Sequence, residues 1–199
     1  MATVKGKRRK EIPLPSPEQI EAERRRLKRG KQFRHILGNT VAILLVVAAV
    51  AVLLVTLFLP VLQVSGTSME PTLEDGDVIV LVKTLDFESG DLCAVRVSGN
   101  VLLKRMIAGP GDWVNIDKEG NVYVNGELLE EPYVTDKSLG ITDITYPYQV
   151  PDNSIFVMGD HRSVSVDSRS SEVGCIPYDK VIGRVVIRIW PLTGISLVS

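Results

Sequence analysis

Ser68 stands in a short segment of small and turn-forming residues, Ser65-Gly66-Thr67-Ser68-Met69-Glu70-Pro71. Small residues before this serine and a proline after it favour a fixed turn that presents its hydroxyl. A serine hydroxyl is a weak nucleophile and needs a neighbouring base before it can attack a carbonyl carbon. The segment is therefore a candidate nucleophile loop, and an ordinary polar loop is the alternative.

Lys104 is the candidate base, because the sequence offers few histidines for that role. One of the two histidines lies in the basic N-terminal part of the chain, and the other is His161. A lysine can act as a base when burial lowers its pKa, since desolvation disfavours the ammonium form. In a strand over residues 101–107, Leu102, Lys104 and Met106 share one face, which predicts apolar neighbours for the amine. A solvent-facing lysine on an alternating strand is the alternative.

A third polar segment, Gly159–Arg169, carries two acids, two arginines and three serines within eleven residues. Such density predicts a buried polar network that orients a neighbouring base. A solvated loop would have the same composition, so this reading depends on the other two segments.

The elements that position these segments begin with an apolar run, Val41–Leu62, of twenty-two residues without a charged side chain. A helix of this length spans about 30 Å, the hydrocarbon thickness of a bilayer. We predict a transmembrane helix over residues 39–62 rather than a cleaved secretory segment, whose apolar core is typically about 7–15 residues. Ser68 lies six residues beyond Leu62, within about 20 Å of the predicted membrane surface.

Charge is distributed unevenly about this run. Residues 1–38 hold twelve Lys or Arg and four Glu, whereas the remainder holds eleven basic and twenty acidic residues. Because basic flanks stay cytoplasmic, we predict a single-pass protein of the cell membrane with residues 1–38 inside and the body, 63–199, outside. Disorder is expected over residues 1–16. The basic flank is a topology signal that touches anionic lipid, which we favour over nucleic-acid binding.

The body is predicted to be mainly β, with seven short runs rich in Val and Ile separated by turn residues. The runs are Val78–Val82, Leu92–Val97, Val101–Ile107, Val114–Ile116, Val122–Val124, Ser154–Met158 and Val181–Ile189. Asn125-Gly126 is a candidate two-residue hairpin turn. This spacing indicates an antiparallel sandwich or partly open barrel, with residues 113–150 as a small inserted β-hairpin subdomain.

Together the polar segments resemble the bacterial type I signal peptidases, family S26. The nucleophile box of that family is similar to Ser65–Leu73, a second box to Gly90–Val97, the lysine box to Lys104–Asp112 and the last box to Gly159–Arg169. Several motifs in order are far more specific than any one alone. The resemblance covers roughly residues 60–190, and a lysine rather than a histidine in the third box is typical of the bacterial branch.

The resemblance implies Ser68 as the nucleophile and Lys104 as the general base. It implies that Ser165 hydrogen-bonds the Lys104 amine and that Asp167 and Arg169 form a supporting ion pair. The main-chain N–H of Ser68 would donate a hydrogen bond to the oxyanion of the reaction.

The chain departs from the family pattern at two positions. His161 stands where the family usually has asparagine, and Gly66 stands where some relatives carry a serine that donates to the oxyanion. Losing one such donor costs about 100-fold in rate in other enzymes, so another group or the backbone is expected to compensate.

The function implied is that of a membrane-bound serine endopeptidase that removes N-terminal signal peptides from exported preproteins. The peptide is expected to bind as an added strand, with small side chains in shallow pockets one and three residues before the cut. We predict that these pockets are lined by Val64, Met69, Leu73, Leu102 and Leu103. The resemblance implies no metal or organic cofactor, and a monomer is expected.

Two other functions fit parts of the sequence. A self-cleaving repressor also uses a Ser/Lys pair, but those proteins lack an anchor. An anchored accessory protein without activity would not need the complete set of polar residues. Cys93 and Cys175 are too few for a disulfide framework or a zinc site, and we expect two separate thiols rather than one bridge.

Overall fold

The computed structural model describes residues 16–198, which form one long helix followed by twelve β-strands. Helix α1 spans Pro17–Phe58. The strands are β1 Val61–Gln63, β2 Val78–Val82, β3 Leu92–Val97, β4 Asn100–Ala108, β5 Trp113–Ile116, β6 Val122–Val124, β7 Glu127–Leu128, β8 Tyr148–Gln149, β9 Ser154–Met158, β10 Ile176–Pro177, β11 Val181–Trp190 and β12 Ser196–Leu197. The predicted fold class, a mainly antiparallel β body after an N-terminal apolar helix, is confirmed. All but the last of the residues expected to be disordered, 1–16, lie outside the described residues.

Helix α1 begins with a reciprocal cap. The Gln19 N–H donates to Ser16 Oγ at 3.3 Å, and the Ser16 N–H donates to Gln19 Oε1 at 3.0 Å. This is the capping-box arrangement, in which two of the unpaired donors at a helix start are satisfied. In the part of the chain that is described, α1 is the one helix long and apolar enough to cross a membrane.

The helix ends at Phe58 rather than at Leu62, so the predicted end of the apolar helix is wrong by four residues. Pro60 has no N–H and cannot continue the helical hydrogen bonds. Residues Val61–Gln63 instead pair antiparallel with β2. By its internal contacts the chain divides into two units between Val52 and Leu53, and the strands belong to the second.

The main sheet has the strand order β1-β2-β11-β3-β4-β9-β10, with β12 paired to β11. Strand β4 lies near the centre, where Cys93 of β3 pairs with Lys104 and Met158 of β9 pairs with Arg105. Strand β9 leads directly into the segment that starts at Gly159. Antiparallel pairing therefore brings two of the polar segments identified from the sequence to the same region of the sheet.

A second sheet has the order β7-β6-β5-β8. Asn125 and Gly126 both have positive φ, 53° and 85°, as a two-residue hairpin turn requires, and β6 pairs with β7 on either side of them. The predicted hairpin is confirmed. The apolar core of this sheet includes Ile107 and Phe156 of the main sheet, and the division of residues 113–150 as an inserted subdomain stays a prediction.

Candidate active site

The nucleophile loop is closed on itself by hydrogen bonds. The Val64 N–H donates to the Asp77 carbonyl at 2.8 Å, the Gly76 N–H to the Val64 carbonyl at 3.0 Å, and the Gly66 N–H to Asp75 Oδ1 at 2.7 Å. Gly66 has a φ of 90°, a backbone conformation that glycine adopts readily and that is strained for residues with a side chain. These bonds fix the loop that carries Ser68.

The loop is also anchored in the core by two of its own apolar side chains. Met69 is 1% exposed and Leu73 is fully buried, and both pack in the cluster that contains Ile79 and Leu81 of β2. Burying side chains of this size contributes about 1.5–3 kcal/mol each. Ser68 itself is half-buried, so its hydroxyl lies at the surface of a firmly packed loop.

Lys104 reaches this hydroxyl from β4. Its Nζ lies 2.9 Å from Ser68 Oγ, which is hydrogen-bond distance. Lys104 is 3% exposed, and Met106 on the same strand face is 4% exposed. The structure thus brings together the two residues proposed from the sequence, and it buries the lysine side chain.

Burial lowers the pKa of Lys104 below its ordinary value of 10.5, since the ammonium loses hydration. The nearby Asp167 carboxylate opposes this change, and the Arg169 guanidinium adds to it. Cys93, the cross-strand neighbour, does not supply a thiolate at neutral pH, because burial raises the pKa of its thiol to about 12. The surroundings of Lys104 therefore favour the neutral amine.

Asp167 and Arg169 form a fully buried ion pair, as the resemblance implied. Arg169 Nε donates to Asp167 Oδ1 at 2.8 Å, and the Gly159 N–H donates to Asp167 Oδ2 at 3.0 Å. Arg169 also donates to the carbonyl groups of Arg162 and Leu139, both at 2.9 Å. The pair therefore holds the Gly159–Arg169 segment against its surroundings.

Ser165 does not make the bond expected of it. Its Oγ is buried and has no hydrogen-bond partner among the described residues, so the expected bond to Lys104 is not formed in this structure. The Lys104 amine is engaged by Ser68, and the Ser165 side chain lies against Gly159, where an added Cβ would overlap both Ser165 and the Ser68 carbonyl oxygen.

Two further buried ion pairs surround the site and were missed from the sequence. Arg105 Nε and Nη2 donate to Asp160 at 2.9 and 2.8 Å, and Thr72 Oγ1 donates to the same carboxylate at 2.5 Å. Arg162 donates to both carboxylate oxygens of Glu131. An arginine within the apolar run of β4 was a usable signal for the first pair, whereas nothing local marks Glu131.

The five residues predicted to line substrate pockets are in three different places. Val64 and Leu103 line a depression of about 120 Å³. Leu102 lines a separate one of about 240 Å³ beside Val166 and Val173, while Met69 and Leu73 belong to the core. The substrate-binding role of these residues stays a prediction. Both cysteines are free thiols.

Comparisons with known proteins relate this chain to one family. The model of the family described as signal peptidase, peptidase S26, matches residues 37–190. Signal peptidase I of Bacillus licheniformis is 37% identical over 168 residues, which cover 76% of this chain and 88% of that protein. Signal peptidase I U of Bacillus subtilis (strain 168) is 31% identical over 178 residues, 83% of this chain and 92% of that protein. A crystal structure of a signal peptidase I from Enterococcus faecalis V583 has a TM-score of 0.42 and 28% identity, and covers 50% of this chain and 96% of that one.

The family model matches most of the chain, and a relative above 30% identity is covered over most of its length. The resemblance drawn from the motifs is thereby confirmed: the chain belongs to the signal peptidase family, peptidase S26, and is a serine peptidase.

Proposed function

We propose that this chain is a signal peptidase I that removes N-terminal signal peptides from exported preproteins, with Ser68 as nucleophile and Lys104 as general base. The observation that carries the proposal is the 2.9 Å contact between a buried amine and the half-buried hydroxyl of a packed loop. A serine needs a base in contact with it, and a lysine can serve only when its neutral form is accessible.

The proposed reaction has two steps, acylation of Ser68 and hydrolysis of the acyl-enzyme. The neutral Lys104 amine takes the Ser68 proton as Oγ attacks the carbonyl carbon of the last signal-peptide residue. The C–N bond then breaks, and the Lys104 ammonium returns the proton to the leaving amine, which becomes the new N-terminus. Water that Lys104 deprotonates then attacks the acyl-enzyme. As the bond between the acyl carbon and Ser68 Oγ breaks, the Lys104 ammonium returns the proton to Oγ, and the signal peptide leaves as a carboxylic acid.

The oxyanion of each tetrahedral intermediate is stabilised by the Ser68 main-chain N–H. Among the residues that the structure describes, this N–H donates to no protein acceptor, so it is available to a ligand. Asp167 and Arg169 hold the Gly159–Arg169 segment by their hydrogen bonds, and within that segment the Ser165 side chain lies beside Gly159, close to the Ser68 carbonyl oxygen.

The signal peptide binds in the extended form beside the nucleophile loop. The depression lined by Val64 and Leu103 also includes Ser65, three residues before Ser68, which places it close to the reacting group. Its volume of about 120 Å³ suits small side chains, and the apolar lining contributes through burial of the peptide. Met69 and Leu73 support the loop from the core, and Leu102 lines the separate depression beside Val166.

The chain acts as a monomer anchored by α1 in the cell membrane, with its N-terminus in the cytoplasm and the β body outside. The apolar run and its basic flank support this orientation. Lys83 Nζ donates to the Leu57 carbonyl in the last turn of the helix at 3.1 Å.

Cleavage of a purified preprotein by the full chain in detergent tests the proposal. Ser68→Ala and Lys104→Ala should each abolish cleavage, and the double variant should be no worse than either, because both serve one proton transfer. Ser163→Ala, at an exposed serine of the neighbouring segment, is the matched control and should retain activity. A chain that cuts only itself would indicate a repressor-like protease, and one that cuts nothing would indicate an accessory protein.

Orientation is tested separately in sealed cells. A protease added outside should digest the body and leave residues 1–38 protected. Protection of the body would reverse the orientation and overturn the proposed action on exported proteins.

A further inference from the structure

His161 makes two hydrogen bonds to the nucleophile loop, one from its main chain and one from its ring. Its main-chain N–H donates to the Ser68 carbonyl oxygen at 3.1 Å. Its ring Nδ1 lies 3.2 Å from the Thr67 carbonyl oxygen. A carbonyl oxygen can only accept, so Nδ1 carries the proton in this contact. The two bonds hold the peptide groups on either side of the Ser68 Cα.

The Thr67 carbonyl belongs to the same peptide group as the Ser68 N–H. That group is planar and trans, so its C=O and N–H point in opposite directions, and fixing one fixes the other. A hydrogen bond accepted at the oxygen also polarises the group and strengthens donation by its N–H. The His161 ring therefore acts on the donor to which the proposed function assigns the oxyanion.

The turn makes one further bond to this oxygen. The Glu70 N–H donates to the Thr67 carbonyl at 3.2 Å, so the ring of His161 supplies a second donor to an acceptor with two lone pairs. Gly66 brings no side-chain donor to the loop. Orientation and polarisation of the remaining main-chain donor then matter more than they would in a site with a second donor.

We propose that His161 is a positioning residue for the oxyanion, acting through the Thr67–Ser68 peptide group rather than by contact with the substrate. This inference rests on the proposed function, because it needs Ser68 to be the nucleophile. It also accounts for the departure from asparagine noted in the sequence. An asparagine Nδ2 lies at the same number of bonds from the backbone as histidine Nδ1 and can donate to the same carbonyl.

The test compares two substitutions of nearly equal shape, His161→Asn, which keeps a donor, and His161→Leu, which does not. Both keep the main-chain bond to Ser68, so folding and loop closure are preserved, and equal melting temperatures check this. We expect His161→Leu to lower kcat about tenfold with KM unchanged, which is less than the loss of a whole oxyanion donor. His161→Asn should stay within about twofold of the unmodified enzyme.

A peptide aldehyde gives a second readout that a general structural defect would not move. Its carbonyl carbon bonds to Ser68 Oγ, the serine proton passes to Lys104, and the former carbonyl oxygen carries the negative charge. Affinity for the aldehyde should fall about tenfold in His161→Leu, whereas affinity for the corresponding peptide alcohol, which has no carbonyl group and forms no oxyanion, should not change.

A His161→Leu enzyme with unchanged kcat would overturn the inference, as would equal losses of affinity for the peptide aldehyde and the peptide alcohol. An asparagine variant as poor as the leucine variant would overturn it as well. Failure of the proposed function is a different result, in which the unmodified chain itself does not cleave preprotein.

Discussion

Replacing Lys104 with methionine should abolish cleavage. It should also raise the stability of the folded protein above that of the unmodified chain, and this gain should be larger at neutral pH than at high pH. Methionine has similar length and apolar character but no amine to hydrate. Loss of a general base costs about 10²–10⁴-fold in rate, or more where no other base can replace it. The stability effect follows from burial of the amine, because Lys104 is 3% exposed.

The sign of the pH dependence comes from proton linkage. Burial lowers the pKa of Lys104 in the folded protein below its ordinary value of 10.5, so over the interval between the two values the unfolded chain binds the proton more readily. Burial of Lys104 therefore lowers the free energy of unfolding of the unmodified protein most at pH values below the folded-state pKa. This loss of stability disappears as pH rises through 10.5. Each unit of lowering corresponds to about 1.4 kcal/mol, which is about 3–6 °C in Tm for a body of this size.

The methionine variant lacks the hydrogen bond to Ser68 at every pH, which costs it about 1 kcal/mol. This loss lowers the stability difference between the two proteins by a constant amount and leaves its pH dependence unchanged. The assay is thermal unfolding of the full chain in detergent from pH 7 to pH 11, followed by the fluorescence of Trp113 and Trp190 in the β body. Lys118→Met, at an exposed turn, is the matched control.

The slope of the stability difference decides the outcome. The Tm of Lys104→Met minus that of the unmodified protein should be largest at pH 7 and should shrink toward pH 11. The control difference should stay constant over the same range. A Lys104→Met difference that is equally constant would mean that the folded protein does not perturb Lys104, and burial could not then be what activates the base.

Three further changes test the surroundings of the dyad. Met106→Gln should move the acidic limb of the kcat/KM profile to higher pH, because a polar neighbour stabilises the buried ammonium, and a limb that stays in place would contradict the role of burial. Gly159→Ala should reduce both activity and Tm, since its Cβ would overlap the Ser68 carbonyl oxygen, whereas Gly109→Ala, whose Cβ meets its nearest atoms at 3.6 Å, should be mild. Glu131→Gln leaves a buried arginine uncompensated and should lower the free energy of unfolding by about 3–5 kcal/mol in urea titration; a loss below about 1 kcal/mol would contradict burial of that charge.

The strands that the sequence predicted are those specified by local signals. All seven predicted runs are strands, with ends that differ by at most one residue, because Val and Ile favour strands and turn residues separate them. The strands not predicted have two or three residues each, and their pairing depends on distant partners. Strand β1 lies within the apolar run itself, where its composition could not be distinguished from that of the helix before it.

The site was predictable to the extent that its residues belong to contiguous motifs. Ser68 and Lys104 were identified from two such motifs, and they lie in contact. The bond expected between Ser165 and Lys104 is not formed, because motif resemblance does not fix the position of a hydroxyl within a packed loop. Arg162 and Glu131 are 31 residues apart, and their pairing depends on the tertiary fold rather than on a local pattern.

The paired charges around Lys104 explain how a polar site can still favour a neutral amine. Asp167 and Asp160 each raise the pKa of Lys104, yet each carboxylate is bound by an arginine at 2.8 Å. A guanidinium that close to a carboxylate cancels much of its field at the lysine, so desolvation remains the largest influence. Buried ion pairs are weak sources of stability compared with apolar packing. Their value here is that they hold the segment after β9 by many hydrogen bonds without placing an unbalanced negative charge beside the base.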